Sequence, residues 1–133
     1  MKKILMLVCG ILMMSTVVYA DCKGITVKGK YCLSKHQMNW FSAYAWCKDQ
    51  GLSLIDAKEM CGAIGGTCSE MILSADEKSS IKNQGGNVDE AVWTNTSIDV
   101  NAAYGLYFYG GWASAAWHPF RNGSGRQFSA FCK

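Results

Sequence analysis

The chain is short, rich in apolar residues and close to neutral. It has 133 residues, of which 50% are hydrophobic and 17% charged, and its formal charge is +3. This length fits one domain, and the apolar content argues against intrinsic disorder. Arginine occurs only at Arg121 and Arg126, so the sequence offers no basic stripe and we expect no nucleic-acid partner.

Residues 1–20 have the pattern of a secretory signal peptide. The charged pair Lys2-Lys3 precedes an apolar run from Ile4 to Met14, and Val18-Tyr19-Ala20 offers small or β-branched residues to a signal peptidase. The run is too short for a good membrane span, although retention as a transmembrane anchor is the alternative. We therefore expect bacterial export to the periplasm, cell surface or medium, with 21–133 as the mature domain.

Cysteine usage agrees with export. Apart from Cys9 in the predicted signal peptide, six cysteines remain: Cys22, Cys32, Cys47, Cys61, Cys68 and Cys132. An even set in an exported chain indicates three disulfides, with many pairings open. A zinc site is disfavoured because no Cys-x-x-Cys occurs and the two histidines, His36 and His118, are isolated. We expect no metal and no cofactor.

The first half of the mature chain predicts a hairpin and three short helices. Two β-leaning runs flank Lys28-Gly29, and a Cys22–Cys32 bridge would close that hairpin. Each helix follows an Asn, Asp or Ser that can cap its first turn. The predicted helices run from Trp40 to about Gln50, from Ala57 to near Gly62, and from Ala75 to Asn83. A Cys61–Cys68 bridge would hold the glycine turn that follows the second helix.

The rest of the mature chain is predicted to form strands. The run Leu52 to Ile55 is a short strand or an extended link, and Gly110-Gly111 is a hairpin signal. The predicted strands are Ala91–Thr94, Tyr104–Tyr109, Gly111–Ser114 and Gln127–Cys132. Helices followed by an antiparallel sheet indicate one α+β domain.

Three segments and one cysteine pair carry a resemblance to a known family. Met38 to Cys47 is similar to a first helix in which aromatic and alanine positions precede a cysteine, and Gly51 to Ile55 is similar to the Gly-x-x-Leu stretch after it. Phe128 to Cys132 is similar to the closing strand, and the Cys22/Cys32 pair to an N-terminal hairpin bridge. Together they resemble the C-type lectin-like domain family. The resemblance implies that fold and a Cys47–Cys132 disulfide.

The sequence departs from the calcium-dependent sugar binders of that family. Those members carry Glu-Pro-Asn or Gln-Pro-Asp in a long loop and Trp-Asn-Asp in the following strand. Here the only proline is Pro119, the nearest likeness to the strand motif is Trp93-Thr94-Asn95, and no Asp or Glu follows Asp99. Calcium takes six to eight oxygen ligands, often carboxylates. We therefore expect recognition without calcium.

Aromatic and hydrogen-bonding side chains crowd the C-terminal third. Such a mixture on a loop suits recognition, with Trp112 and Trp117 supplying stacking area and Arg121 and Asn122 directional hydrogen bonds. The predicted ligand-binding residues are Tyr109, Trp112, Trp117, His118, Arg121 and Asn122. The other large residues of this region are assigned to the core: Trp93, Leu106, Phe108, Phe128 and Phe131.

The sequence as a whole predicts an exported binding module for a glycan or a surface protein. A structural subunit of a surface assembly, with Trp112 and Trp117 buried against another chain, is the first alternative. A small secreted enzyme is the second, and it is disfavoured because no carboxylate follows His118 to orient its ring and no thiol is expected to be free. The oligomeric state stays open.

Overall fold

The structure, a computed structural model, describes residues 22–116 and 126–133. They form an α+β fold with a six-stranded sheet, three α-helices and a 3₁₀ turn at Ser69–Met71. The helices are α1 (Trp40–Lys48), α2 (Ala57–Cys61) and α3 (Ala75–Asn83). The strands are β1 (Ile25–Val27), β2 (Tyr31–Met38), β3 (Val92–Asp99), β4 (Ala102–Leu106), β5 (Trp112–Ala116) and β6 (Phe128–Cys132). The predicted signal peptide lies outside the described residues.

The sheet is mixed, which corrects the prediction of an antiparallel sheet. The strand order is β1-β2-β6-β3-β4-β5, and β6 runs antiparallel to β2 but parallel to β3. Insertion of the C-terminal strand between β2 and β3 brings Val92 opposite Ser129 and Trp93 opposite Ala130. The last strand of the chain is therefore central, and both halves of the sequence pack around it.

The predicted helices are present, and their caps explain where they begin. Asn39 accepts a hydrogen bond from Ser42 N at α1, and Asp56 accepts from Lys58 N at α2. At α3 the Ser74 hydroxyl accepts from Glu77 N at 3.2 Å, and the Glu77 carboxylate accepts from Ser74 N at 3.0 Å. This reciprocal pair is a complete capping box. Helix α1 ends at Lys48, two residues before its predicted end.

Several strands differ in extent from the prediction. β3 continues to Asp99 instead of ending at Thr94, and β5 runs from Trp112 to Ala116 instead of from Gly111 to Ser114. β2 continues through a polar run to Met38, and its register against β6 shifts between Leu33 and Gln37. The Ser34 hydroxyl bridges this bulge, because it accepts from Ala130 N at 2.8 Å and donates to the His36 carbonyl at 2.7 Å. β4 ends three residues earlier than predicted, because a turn begins after Leu106. The Leu52–Ile55 segment contributes only one isolated bridge to the sheet.

The residues assigned to packing are all buried: Trp93, Leu106, Phe108, Phe128 and Phe131. Trp93 has no exposed surface, its ring centroid is 4.8 Å from that of Phe128, and its indole N–H donates to the Met38 carbonyl at 2.8 Å. A buried indole needs such a partner to avoid a desolvation penalty. The Trp93 side chain therefore joins β3 to β2 through polar as well as apolar contacts.

Three disulfides hold the fold, with the pairings that the sequence and the family resemblance led us to expect. Cys22–Cys32 closes the β1–β2 hairpin, and Cys61–Cys68 joins the end of α2 to the residue before the 3₁₀ turn. Cys47–Cys132 links α1 to β6 across a sequence separation of 85 residues. Three disulfides are compatible with export to an oxidising compartment.

Candidate functional site

The turn between β4 and β5 presents an aromatic side chain to solvent. Gly110 N–H donates to the Tyr107 carbonyl and Tyr107 N–H donates to the Gly111 carbonyl, both at 2.9 Å. Gly110 has a φ of +87°, the left-handed conformation that follows the tight turn of a three-residue hairpin loop. A hairpin turn forms next to Gly110-Gly111, as predicted. Phe108 and Tyr109 lie in this turn, although they were predicted to end the preceding strand.

The two turn residues lie on opposite sides. Phe108 is buried and meets Phe131 edge to face, with ring centroids 5.6 Å apart. Tyr109 is 65% exposed, and its ring stacks on that of Tyr107 at a centroid distance of 5.0 Å and an interplanar angle of 13°. The half-buried Tyr107 packs in turn against the core. This Tyr107–Tyr109 pair, called here the tyrosine platform, combines a supported ring with an exposed ring.

The turn is held by the segment that follows α2. Cys68 N–H donates to the Gly110 carbonyl at 3.1 Å, and Leu73 N–H donates to the Phe108 carbonyl at 3.4 Å. Cys68 is itself bonded to Cys61. The tyrosine platform thus lies on a hairpin whose backbone is bonded at Gly110 to the loop closed by Cys61–Cys68, called here the stapled loop.

Trp112 lies at the same end of the hairpin but has a different environment. It is half-buried, its ring meets that of Tyr104 at 88° with a centroid distance of 4.8 Å, and its indole N–H donates to the Gly66 carbonyl. The indole N–H, the polar group of the Trp112 ring, is therefore bonded to Gly66 in the stapled loop. In this structure Trp112 joins β5 to that loop, and Tyr109 offers the larger accessible surface.

The remaining predicted ligand-binding residues, Trp117, His118, Arg121 and Asn122, lie outside the described residues. Ala116, the last residue of β5, pairs with Ala102 at the end of the hairpin opposite to the tyrosine platform. Trp112 and Ala116 are roughly 14 Å apart at the usual rise of a strand. The structure thus brings Tyr109 and Trp112 to one end of β5.

Ile72 is a neighbour of the β4–β5 turn that sequence reasoning missed. Its side chain is 47% exposed, and a Cβ added at Gly110 would lie 3.3 Å from Ile72 Cγ1. Lys28 Nζ donates to the Ile72 carbonyl at 3.2 Å, so a cation lies beside the backbone of this residue. One isoleucine after Met71 gives no sequence signal for a surface position, because only the fold brings it beside the turn.

Tyr31 on β2 and Glu70 in the 3₁₀ turn form a polar pair near Lys28. The Tyr31 hydroxyl donates to the Glu70 carboxylate, and Lys30 forms an ion pair with Glu70 at 3.1 Å. The hydrogen bond from Tyr31, followed by that from Lys30, lowers the pKa of Glu70. Burial, reinforced by the hydrogen bond to Glu70, raises the pKa of Tyr31. Both shifts favour a neutral phenol that donates to a charged carboxylate.

The described residues contain no group of three or more His, Cys, Asp or Glu side chains arranged to hold a metal ion. In that same part of the chain, no helix is long and apolar enough to cross a membrane. No protein-family model matches the chain, and no curated protein matches it.

Proposed function

We propose that the chain is an exported C-type lectin-like binding module that recognises a glycan through the tyrosine platform without calcium. The observation that carries the proposal is the Tyr109 ring, which is 65% exposed and backed by the parallel ring of Tyr107. The apolar faces of sugar rings pack against such flat surfaces, while the phenolic oxygen offers a hydrogen bond at the rim.

Several features of the fold support the C-type lectin-like assignment. The disulfide Cys47–Cys132 joins the first helix to the closing strand, as the family resemblance implies. That strand pairs with β2 near the N-terminus, and Cys22–Cys32 closes an N-terminal hairpin. A rigid scaffold that positions an exposed loop is the usual arrangement of binding proteins.

The rigidity of the turn supports binding rather than a packing role for Tyr109. An exposed aromatic side chain that is already held in one position loses little conformational freedom when a ligand arrives. The Cys68 and Leu73 amides fix the turn backbone, and Tyr107 fixes the ring. Ile72, which is also partly exposed, lies beside Gly110 of the same turn. A stacked sugar fits this surface better than a large protein interface, which needs a wider patch.

Export and calcium independence are parts of the same proposal. Three disulfides in a chain of this length fit an oxidising compartment. Calcium recognition by this family needs a carboxylate-rich loop, and the sequence holds no Asp or Glu after Asp99. The tyrosine platform supplies ring surface instead of ion coordination.

A glycan array probed with the oxidised mature domain, residues 21–133, tests this function. The array is run in calcium and again in EDTA, with Tyr109→Ala beside the unaltered domain. We expect equal binding in both buffers and loss of binding in the variant. Binding that EDTA abolishes would contradict calcium independence, and binding that Tyr109→Ala leaves intact would contradict the role of the platform.

A panel of surface proteins run in parallel separates the two ligand classes. Binding to a protein but to no glycan would overturn the proposal in favour of a protein ligand. Circular dichroism and the melting temperature of Tyr109→Ala serve as controls, and neither is expected to change, because truncation of a largely exposed side chain costs little stability.

A further inference from the structure

The outer edge of β5 is open within residues 22–116 and 126–133. β5 stands last in the strand order, and no other described strand pairs with its far side. Its five residues pair with β4 without interruption, from Trp112 opposite Leu106 to Ala116 opposite Ala102. A row of backbone groups on β5 therefore has no partner strand in this part of the structure.

The register of the hairpin identifies those backbone groups. Tyr107 N–H donates to the Gly111 carbonyl, so this pair is a hydrogen-bonded one. Hydrogen-bonded and non-hydrogen-bonded pairs alternate along an antiparallel ladder, so Ala113 and Ala115 bond to β4. The N–H and C=O groups of the intervening residues point to the outer edge. Those residues are Trp112, Ser114 and Ala116.

The β5 strand itself carries none of the sequence features that usually prevent strand addition. Natural edge strands are protected by charged side chains, by proline, by a bulge or by very short length. The sequence of β5 is WASAA, which has no charge and no proline, and its ladder has no register shift. The other edge, β1, is only three residues long and is flanked by Lys23, Lys28 and Lys30.

We propose that β5 pairs antiparallel with β5 of a second copy of the chain, about a two-fold axis at Ser114. A second copy fits because the neutral strand is complementary to itself, so no like charges face each other across the axis. This register sets Trp112 opposite Ala116 of the partner subunit and Ser114 opposite its own counterpart. It forms about six backbone hydrogen bonds in three doubly bonded pairs.

Amide hydrogen exchange in the full mature domain tests the pairing at single residues. Exchange is followed from roughly 1 µM to 1 mM protein, beside sedimentation equilibrium over the same range. We expect the Trp112, Ser114 and Ala116 amides to gain protection as the dimer forms, and the Ala113 and Ala115 amides to be protected at every concentration. Protection that does not depend on concentration, or a monomer at 1 mM, would overturn the proposal.

A pair of variants at one position gives an independent test. Ser114→Pro removes an outward N–H without removing a hydrogen bond to β4, and proline is tolerated on an edge strand in that orientation. Ser114→Thr keeps the N–H and serves as the matched control. We expect Ser114→Pro to raise the dimer dissociation constant at least tenfold and Ser114→Thr to leave it unchanged. Equal dimerisation of both variants would overturn the proposal, and if Ser114→Pro fails to fold, the exchange pattern of the unaltered domain decides.

Discussion

The ring of Tyr109 lies directly against the Cα of Gly111. A Cβ added at position 111 would overlap the Tyr109 ring and would lie 3.0 Å from Cζ. The glycine therefore leaves the space in which the ring lies flat on the turn and stacks on Tyr107. The position of the Tyr109 ring therefore depends on the absence of a side chain at Gly111 as well as on its stacking with Tyr107.

Gly111→Ala is predicted to weaken glycan binding while it leaves the fold stable. The new methyl group overlaps the Tyr109 ring and displaces it from its stack on Tyr107, while the buried core is not touched. We expect the free energy of unfolding to change by less than about 1 kcal/mol, as is usual for surface substitutions. Urea denaturation and the array signal, measured on the same preparation, check the two effects.

Gly110→Ala is the matched control for that substitution. Gly110 has a φ of +87° and lies close to the Cys68 carbonyl, so an alanine there strains the backbone. We expect a loss of roughly 1–2 kcal/mol of stability, the cost of a left-handed residue. Equal losses of stability in both variants would show that the Tyr109 side chain does not move aside.

Replacement of Cys61 and Cys68 by serine is predicted to lower both stability and binding. The bridge closes a loop with a sequence separation of seven residues, for which the chain-entropy argument gives about 2–3 kcal/mol. Binding falls as well, because Cys68 N–H holds the Gly110 carbonyl of the turn. Chemical denaturation and glycan binding below the melting temperature measure the two consequences.

The Cys22/Cys32 pair provides the control for this prediction. Its separation of ten residues gives a similar entropic term, but it closes the β1–β2 hairpin, whereas the β4–β5 turn is bonded to the Cys68 and Leu73 amides. The double serine variant is expected to lose comparable stability and to keep its affinity. Equal loss of binding in the two double variants would show that general destabilisation, and not the local anchor, is responsible.

Trp93→Ala is predicted to lower the free energy of unfolding by about 3–5 kcal/mol, the range for truncation of a large buried aromatic residue. The side chain is fully buried, and its removal also leaves the Met38 carbonyl without the indole donor. Trp93→Phe retains most of the ring volume and separates the hydrogen bond from the packing. Urea unfolding curves of the two variants check the ranking, and a smaller loss for alanine than for phenylalanine would contradict it.

The Tyr31–Glu70 pair predicts a pH dependence with two limbs. Because the pKa of Glu70 is lowered below its ordinary 4.5, its contribution is present above that pH and is lost as the pH falls through the folded-state pKa. Because the pKa of Tyr31 is raised above 10.0, its contribution is present below that pH and is lost as the pH rises towards the folded-state pKa.

Tyr31→Phe and Glu70→Gln test both limbs through melting temperatures from pH 2 to 11. Glu70→Gln is expected to flatten the acid limb, and Tyr31→Phe to flatten both limbs, because it removes the phenol and the main cause of the Glu70 shift. Glu90→Gln removes one exposed carboxylate as a control. Unchanged profiles in both variants would contradict the proposed contribution of this pair.

Local sequence signals predicted the elements whose causes are local. The caps at Asn39, Asp56 and Ser74 mark the starts of the helices, because each side chain bonds to amides a few residues away. The even number of cysteines and the spacing of the close pairs also predicted disulfides. These features depend on neighbours in the sequence, so they are visible without the fold.

Features that depend on distant partners were missed. The run Lys35 to Gln37 is too polar to indicate a strand, and it extends β2 only because β6 pairs with it through the Ser34 bulge. The parallel contact between β3 and β6 has no local signal either. The aromatic run Tyr107 to Tyr109 favours a strand by propensity, but the turn at Gly110 overrides that preference. The exposed neighbour Ile72 is likewise visible only once the turn is folded.

The most direct test of glycan recognition is a calorimetric titration of the strongest glycan from the array against three proteins. These are the unaltered domain, Tyr109→Ala and Tyr44→Ala, which removes another partly exposed and stacked tyrosine from α1. We predict at least a tenfold loss of affinity for Tyr109→Ala, or about 1.4 kcal/mol, and no change for Tyr44→Ala. Equal affinity of Tyr109→Ala and the unaltered domain would contradict the account.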